Sequence, residues 1–175
     1  MKFKQVIEII EGVFILFLIA FLLYINIAYY IFGQVTLAIV KGASMLPLLQ
    51  ENDIVVILPS RSISLGDIVV FKNDRGEYVI HRVIAIAECL DGSKLYVTKG
   101  DNNLFVDSVS FGIALRISAE CTVKKLETLN GFEPYVHQAV QGNNIRGIPS
   151  SRIVGKALSL FDMVVKITGL LSLKP

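Results

Sequence analysis

Charge is scarce in this chain: 18% of its 175 residues are Asp, Glu, Lys or Arg, and 17 basic residues against 15 acidic ones leave a net charge of +2. With no basic excess there is no Lys/Arg face of the kind that grips phosphate backbones, so nucleic acid is excluded as the expected partner. With 53% apolar residues and little net charge, an intrinsically disordered chain is excluded as well. Cysteine is almost absent. Cys89 and Cys121 are too few for a disulfide framework and lack the C-x-x-C spacing of a metal site, so they are left either to pair or to stay free. Neither a metal nor a cofactor is expected. An internal repeat is lacking, and so is the helical crossover pattern of a parallel sheet. The length suits a single core.

What the chain does have is hydrophobicity, with a mean hydropathy of +0.61, and it is unevenly spread. Between Glu11 and Lys41 stand 29 residues without a charge, and 12–32 is almost wholly Val, Ile, Leu, Phe, Ala and Tyr. At ~1.5 Å per residue those 21 residues cover about 30 Å, the hydrocarbon thickness of a bilayer. The run is too long for a cleaved signal peptide and ends in Tyr29-Tyr30-Ile31-Phe32, which lacks small cleavage-site residues, so a retained anchor is expected. Lys2 and Lys4 before it, against Lys41 after it, favour a cytoplasmic N-terminus and place the remaining chain outside the cytoplasm. Tyr29 and Tyr30 suit the far interface, and Asn26 suits a helix contact.

From Gly33 the pattern changes to short runs rich in β-branched and aromatic residues. Residues 54–58, 68–71, 78–87 and 95–98 read as strands, separated by Gly/Asn/Asp/Ser turn clusters. An antiparallel barrel or sandwich is expected. Residues 113–117 and 121–126 read as further strands, and 130–147 as an inserted loop. After a strand-like 152–157, residues 158–173 turn apolar, with Asp162 and Lys166 one helical turn apart. That spacing suggests a helix at the membrane interface or against a partner, ahead of a core element or a second span. The expected organisation is a cytoplasmic 1–11, a span at 12–32, a β-rich domain at 33–157 with an insert near 108–146, and an apolar segment at 158–175.

Chemistry gathers in a few short blocks. Lys41-Gly42-Ala43-Ser44-Met45-Leu46-Pro47 brings a serine between small residues and a rigid proline just past the span. A serine hydroxyl needs a base to attack a carbonyl, and the chain offers two histidines, His81 and His137. His81 lies in a strand, on one face with Val79 and Val83. Arg82 cannot replace it, because guanidinium stays protonated. A third, acceptor group normally holds such a histidine. Asp101, in Thr98-Lys99-Gly100-Asp101-Asn102-Asn103, and Asp107 are the candidates, while Asp53 and Asp67 read as turn residues. Lys72 and Lys99 stand beside turns and suggest solvent-exposed amines.

In order and wording, Ser44 to Pro47, Gly66 to Phe71, Ile80-His81-Arg82-Val83, Thr98 to Asn103 and Ile153 to Ala157 resemble type I signal peptidases. The closest likeness is to the endoplasmic-reticulum and archaeal branch, which carries histidine where other members carry lysine. The resemblance implies a membrane-anchored serine endopeptidase with an extracytoplasmic β-rich domain that removes signal peptides from secretory preproteins. It implies Ser44 as nucleophile, His81 as general base and acid, and Asp101 and Asp107 as the two acidic positions, either of which would orient His81. It also implies membrane lipid and other membrane subunits or the translocation machinery as partners. Two departures stand out: a lone Asp107 where adjacent acids are usual, and Gly42 where a serine commonly assists the oxyanion hole. A Ser–Lys protease of the self-cleaving repressor type and a non-catalytic membrane-anchored β-domain are the rival readings. No lysine stands at 78–84 to serve the first.

Overall fold

The structure, a computed structural model, describes residues 3–32, 36–60, 62–73, 76–109, 118–160 and 163–168. The chain divides into two compact units, Met1–Thr36 and Leu37–Pro175. The first is a single helix, α1 (Phe3–Phe32), thirty residues long without a proline to break it. Its stretch Lys4–Ile27 has a mean hydropathy of 2.7 and is long and apolar enough to cross a membrane. Asn26, expected at a helix contact, turns its amide back to the Leu22 carbonyl at 2.8 Å.

The second unit is antiparallel β-structure, as the run-and-turn pattern demands. Its strands are β1 (Leu37–Ile39), β2 (Ile54–Leu58), β3 (Ile68–Lys72), β4 (Tyr78–Cys89), β5 (Lys94–Lys99) and β6 (Ala119–Thr128). A helical turn, α2 (Glu133–Val136), precedes β7 (Val140–Gln141), β8 (Asn144–Pro149) and β9 (Ile153–Ala157). Three two-residue strands follow, β10 (Ser159–Leu160), β11 (Met163–Val164) and β12 (Lys166–Ile167). The main sheet runs β1-β2-β9-β3-β4-β5-β8-β6, and β6 returns to pair with β4, closing the second half on itself. β9, late in sequence, is inserted between β2 and β3. It comes so close to β2 that a Cβ on Gly155 would stand 2.6 Å from the Leu58 carbonyl oxygen, which is why glycine occupies that position.

β4 organises the unit. Its first half pairs with β3, placing His81 opposite Val69, and its second half pairs with both β5 and β6. Twelve alternating residues can serve two sheets because the register shifts between Val83 and Ala85, a bulge that bends the strand just past His81 and Arg82. One buried cluster gathers Ile84, Ala87, Val97, Val106, Val136 and Ile145, and another holds Val69, Phe71, Val83, Tyr96 and Ile148. Each such side chain contributes roughly 1.5–3 kcal/mol by leaving water.

Two expectations change, and one open question is resolved. Residues 130–147 are not an unstructured insert: α2, a 3-10 turn at His137–Ala139, and the β7–β8 hairpin order them. Residues 158–160 and 163–168 do not form a helix, because β10 pairs antiparallel with β11 and β12 pairs with β2. Lys166 there meets Asp53 at 2.8 Å. Asp162 and the proposed strand at 113–117 lie outside the described residues. Cys89 and Cys121, open in the sequence, are joined by a disulfide across 32 positions between β4 and β6.

Candidate active site

The segment 40–49 is held from below by apolar anchors, Met45 and Leu49, which are 1% and 0% exposed. The Leu49 N–H donates to the Met45 carbonyl at 2.9 Å, making a helical turn behind the serine. Gly42 has φ +81°, a left-handed conformation that strains any side chain. That explains glycine where the resemblance leads one to expect serine. From the other side, the turn 100–103 grips the loop. The Asn102 N–H donates to the Ser44 carbonyl at 2.8 Å, and its side-chain amide donates to the Ala43 carbonyl at 3.2 Å.

So held, Ser44 Oγ lies 3.0 Å from Nε2 of His81. The imidazole is 7% exposed and meets the Phe71 ring edge-on at 6.3 Å. Its other nitrogen, Nδ1, faces the carboxylate of Asp107, at 2.9 Å from Oδ1 and 2.8 Å from Oδ2. Asp107 is 2% exposed, opens a short 3-10 helix, and accepts a hydrogen bond of 2.6 Å from the Thr98 hydroxyl. The carboxylate takes Nδ1–H, which leaves Nε2 free to accept a proton from the serine. Sequence reasoning passed over Thr98 as a separate site residue, although it stands in a quoted block.

Asp101 is placed elsewhere. Its carboxylate receives Arg82 Nε and Nη2, both at 2.7 Å, while Arg82 Nη1 donates to the Gly66 carbonyl at 3.1 Å. This bidentate pair raises the Arg82 pKa through the hydrogen bond to Asp101, against the desolvation that works to lower it. His81 and Arg82 are neighbours on one strand with opposite orientation, so each aspartate meets its own partner. Lys99, expected in solvent, is 2% exposed. Burial holds its amine below the ordinary lysine range, partly opposed by Asp101 and Asp107. Its Nζ donates to the Gly100 carbonyl at 2.9 Å and the Asp101 carbonyl at 3.3 Å. His137 lies in the 3-10 turn after α2, apart from this array.

A cavity of about 240 Å³ opens beside the serine, lined by Ala38, Ile39, Lys41, Val70, Tyr78 to Ile80, Ser44 and His81. On one side it borders β1, the end strand of the main sheet order. A larger groove elsewhere, with Glu88, Lys94, Lys125 and Glu127 on its walls, holds none of these residues. Among the described residues, no three His, Cys, Asp or Glu side chains gather to hold a metal ion.

Comparison with known proteins places the chain beside peptidases. A family model described as Peptidase S24-like matches residues 12–91, a span that includes Ser44 and His81. The signal peptidase complex catalytic subunit SEC11 of Yarrowia lipolytica is 29% identical over 110 residues, 62% of this chain and 63% of that protein. The subunit of the same name from Eremothecium gossypii is 27% identical over 114 residues, 64% of this chain and 68% of that protein. The blocks, the β-rich fold and these similarities converge: the chain is similar to the type I signal peptidases of the endoplasmic-reticulum branch.

Proposed function

We propose that the protein is a membrane-anchored serine endopeptidase that removes signal peptides from translocated preproteins. The observation that carries this reading is the continuous contact from Ser44 Oγ through the His81 ring to the Asp107 carboxylate. Ser44 Oγ attacks the scissile carbonyl carbon while its proton passes to His81 Nε2. The resulting imidazolium is stabilised by Asp107 and returns the proton to the leaving amine as the C–N bond breaks. Water then attacks the acyl-serine with His81 again as base, releasing the carboxylate and restoring the hydroxyl. The backbone N–H of Ser44 serves as oxyanion donor, and Gly42 brings no hydroxyl of its own. Lys99 is a poor rival base, because its amine is already committed to two carbonyls.

Substrate enters as an extended strand along β1, where Ala38 and Ile39 border the cavity. A small cavity favours small residues at the cleaved bond and two positions before it, since larger ones overpack. Ser44 follows the last residue of α1 by twelve positions, a reach of at most about 40 Å, which keeps the reaction near a membrane surface. A disulfide persists in oxidising compartments, so Cys89–Cys121 supports an extracytoplasmic domain and an N-terminus in the cytoplasm. Since the fungal relatives are named as subunits of a complex, association with other membrane subunits is part of the proposal.

The test is cleavage of a preprotein by the full chain in proteoliposomes, beside Ser44→Ala and His81→Ala. Both variants lose several orders of magnitude in rate, and an acylating inhibitor labels only proteins that retain Ser44. Undiminished cleavage by Ser44→Ala overturns the assignment of Ser44 as nucleophile, and an unlabelled, inactive wild type overturns the proposal in favour of a binding module.

A further inference from the structure

The segment 132–139 carries no part of the chemistry above, yet its side chains reach both ends of the array. Two apolar residues, Val136 and Ala139, seat it in the core at 4% and 2% exposure. That footing leaves Tyr135 and Gln138 aimed at the loop 99–107, which connects β5 to Asp107.

Gln138 spends its whole amide on that loop. Its Oε1 accepts the Val106 N–H at 3.1 Å, and its Nε2 donates to the Leu104 carbonyl at 3.2 Å. One side chain thus holds the backbone on both sides of Phe105, immediately before Asp107. Two loop bonds that sheet pairing does not supply are supplied here.

Tyr135 acts on the other end of the loop. Its ring centroid lies 4.4 Å from Lys99 Nζ, with the Phe132 ring 5.9 Å from the same nitrogen. The aromatic faces receive the ammonium that its burial has taken from water. Held there, the ammonium ties the carbonyls of Gly100 and Asp101. Those residues open the turn whose Asn102 grips Ser44, and Gly100 packs so close that a Cβ would stand 2.6 Å from the Ser44 carbonyl oxygen.

We infer that the segment 132–139 is a positioning element for the Ser44–His81–Asp107 array, with Gln138 setting Asp107 and Tyr135, through Lys99, setting Ser44. The inference rests on the catalytic reading of those three residues. It assigns the segment between β6 and β7 the task of fixing a serine and an aspartate that are 63 positions apart in the chain.

Full-length protein in proteoliposomes tests it, with kcat, KM and Tm measured for Gln138→Leu, Tyr135→Leu and Tyr135→Phe. A misplacement near 1 Å costs about 10²-fold in rate, so Gln138→Leu and Tyr135→Leu are expected to lower kcat about 10- to 100-fold with KM within about twofold. Tyr135→Phe keeps the ring face against Lys99 and restores kcat, which a role for the hydroxyl does not predict. Gln138→Asn, one methylene short of reaching both groups, replaces Gln138→Leu if that variant fails to fold. Wild-type kcat in the Leu variants, a loss confined to KM, or equal losses in Tyr135→Phe and Tyr135→Leu overturn the inference. A Ser44→Ala control separates the two levels. If it is inactive while the Leu variants are normal, only the positioning role falls; if it cleaves normally, the catalytic reading falls and takes the inference with it.

Discussion

Replacing Asp107 by Asn should nearly abolish cleavage, whereas Asp101→Asn should not. In the first variant, the ring loses the carboxylate that sits 2.8 Å from Nδ1 in a site where Asp107 is 2% exposed. Taking charge centres about 4 Å apart and an effective dielectric near 20, the lost stabilisation of the imidazolium is about 4 kcal/mol. At about 1.4 kcal/mol per decade this is roughly a thousandfold in rate. The carboxamide also offers an N–H to Nδ1, which turns the proton onto Nε2 and points it at Ser44, so the loss reaches about 10⁴-fold. Asp101→Asn weakens the Arg82 pair, whose side chains are 15% and 23% exposed. Its effect is on stability, about 1–2 kcal/mol after allowing for that exposure, and on rate by less than about tenfold. Single-turnover cleavage of one preprotein by both variants, with Tm measured in parallel, gives the comparison. If Asp107→Asn stays within tenfold of wild type and Asp101→Asn falls a thousandfold, the assignment of the orienting carboxylate is wrong.

Other outcomes follow from the same contacts. Gly100→Ala forces a methyl against the Ser44 carbonyl oxygen, 2.6 Å away, so kcat should drop about 10²-fold; wild-type turnover would show that the loop relaxes freely. Removing both cysteines opens a crosslink spanning 32 positions and should cost about 3–4 kcal/mol in urea unfolding, with reductant reproducing the effect on the wild type. Lys166→Met strands the Asp53 carboxylate and frees the Leu48 carbonyl; with Lys166 26% exposed, the expected loss is about 1–3 kcal/mol. Burial works to raise the Asp53 pKa, but the Lys166 ammonium and hydrogen bonds from Gln50 and Thr168 outweigh it and hold it below 3.8. Its stabilising contribution is therefore fully present above about pH 4 and lost as the pH falls further, a slope that urea titrations from pH 3 to 6 should find missing in Lys166→Met.

Ser44 and His81 were legible because each sits in a short block whose local chemistry is self-contained: a small-residue loop and an alternating strand. The choice between Asp101 and Asp107 was not. Both lie in one turn-rich stretch, and what separates them is Arg82, nineteen positions upstream, claiming Asp101. Lys99 was misread for the same reason. Gly100 beside it suggests solvent, while its burial depends on Phe132 and Tyr135, which arrive more than thirty residues later. The strands at 54–58 and 68–71 showed clearly as β-branched runs, but α2 has four residues and β7, β10, β11 and β12 have two each, too short to display any period. Spacing of Asp162 and Lys166 suggested a helix, yet Lys166 belongs to a strand and answers to Asp53, 113 positions earlier.

The place of β9 has a consequence for the order of events during synthesis. Among the described residues, β2, next to the serine's loop, and β3, next to the histidine's strand, are joined in the sheet through β9 between them. A ribosome delivers residues 153–157 long after Ser44, His81 and Asp107 have left it. Until then, among the described residues no pairing in the main sheet bridges the side of Ser44 to the side of His81. On the catalytic reading proposed above, such a topology ties the meeting of Ser44 and His81 to the arrival of residues 153–157.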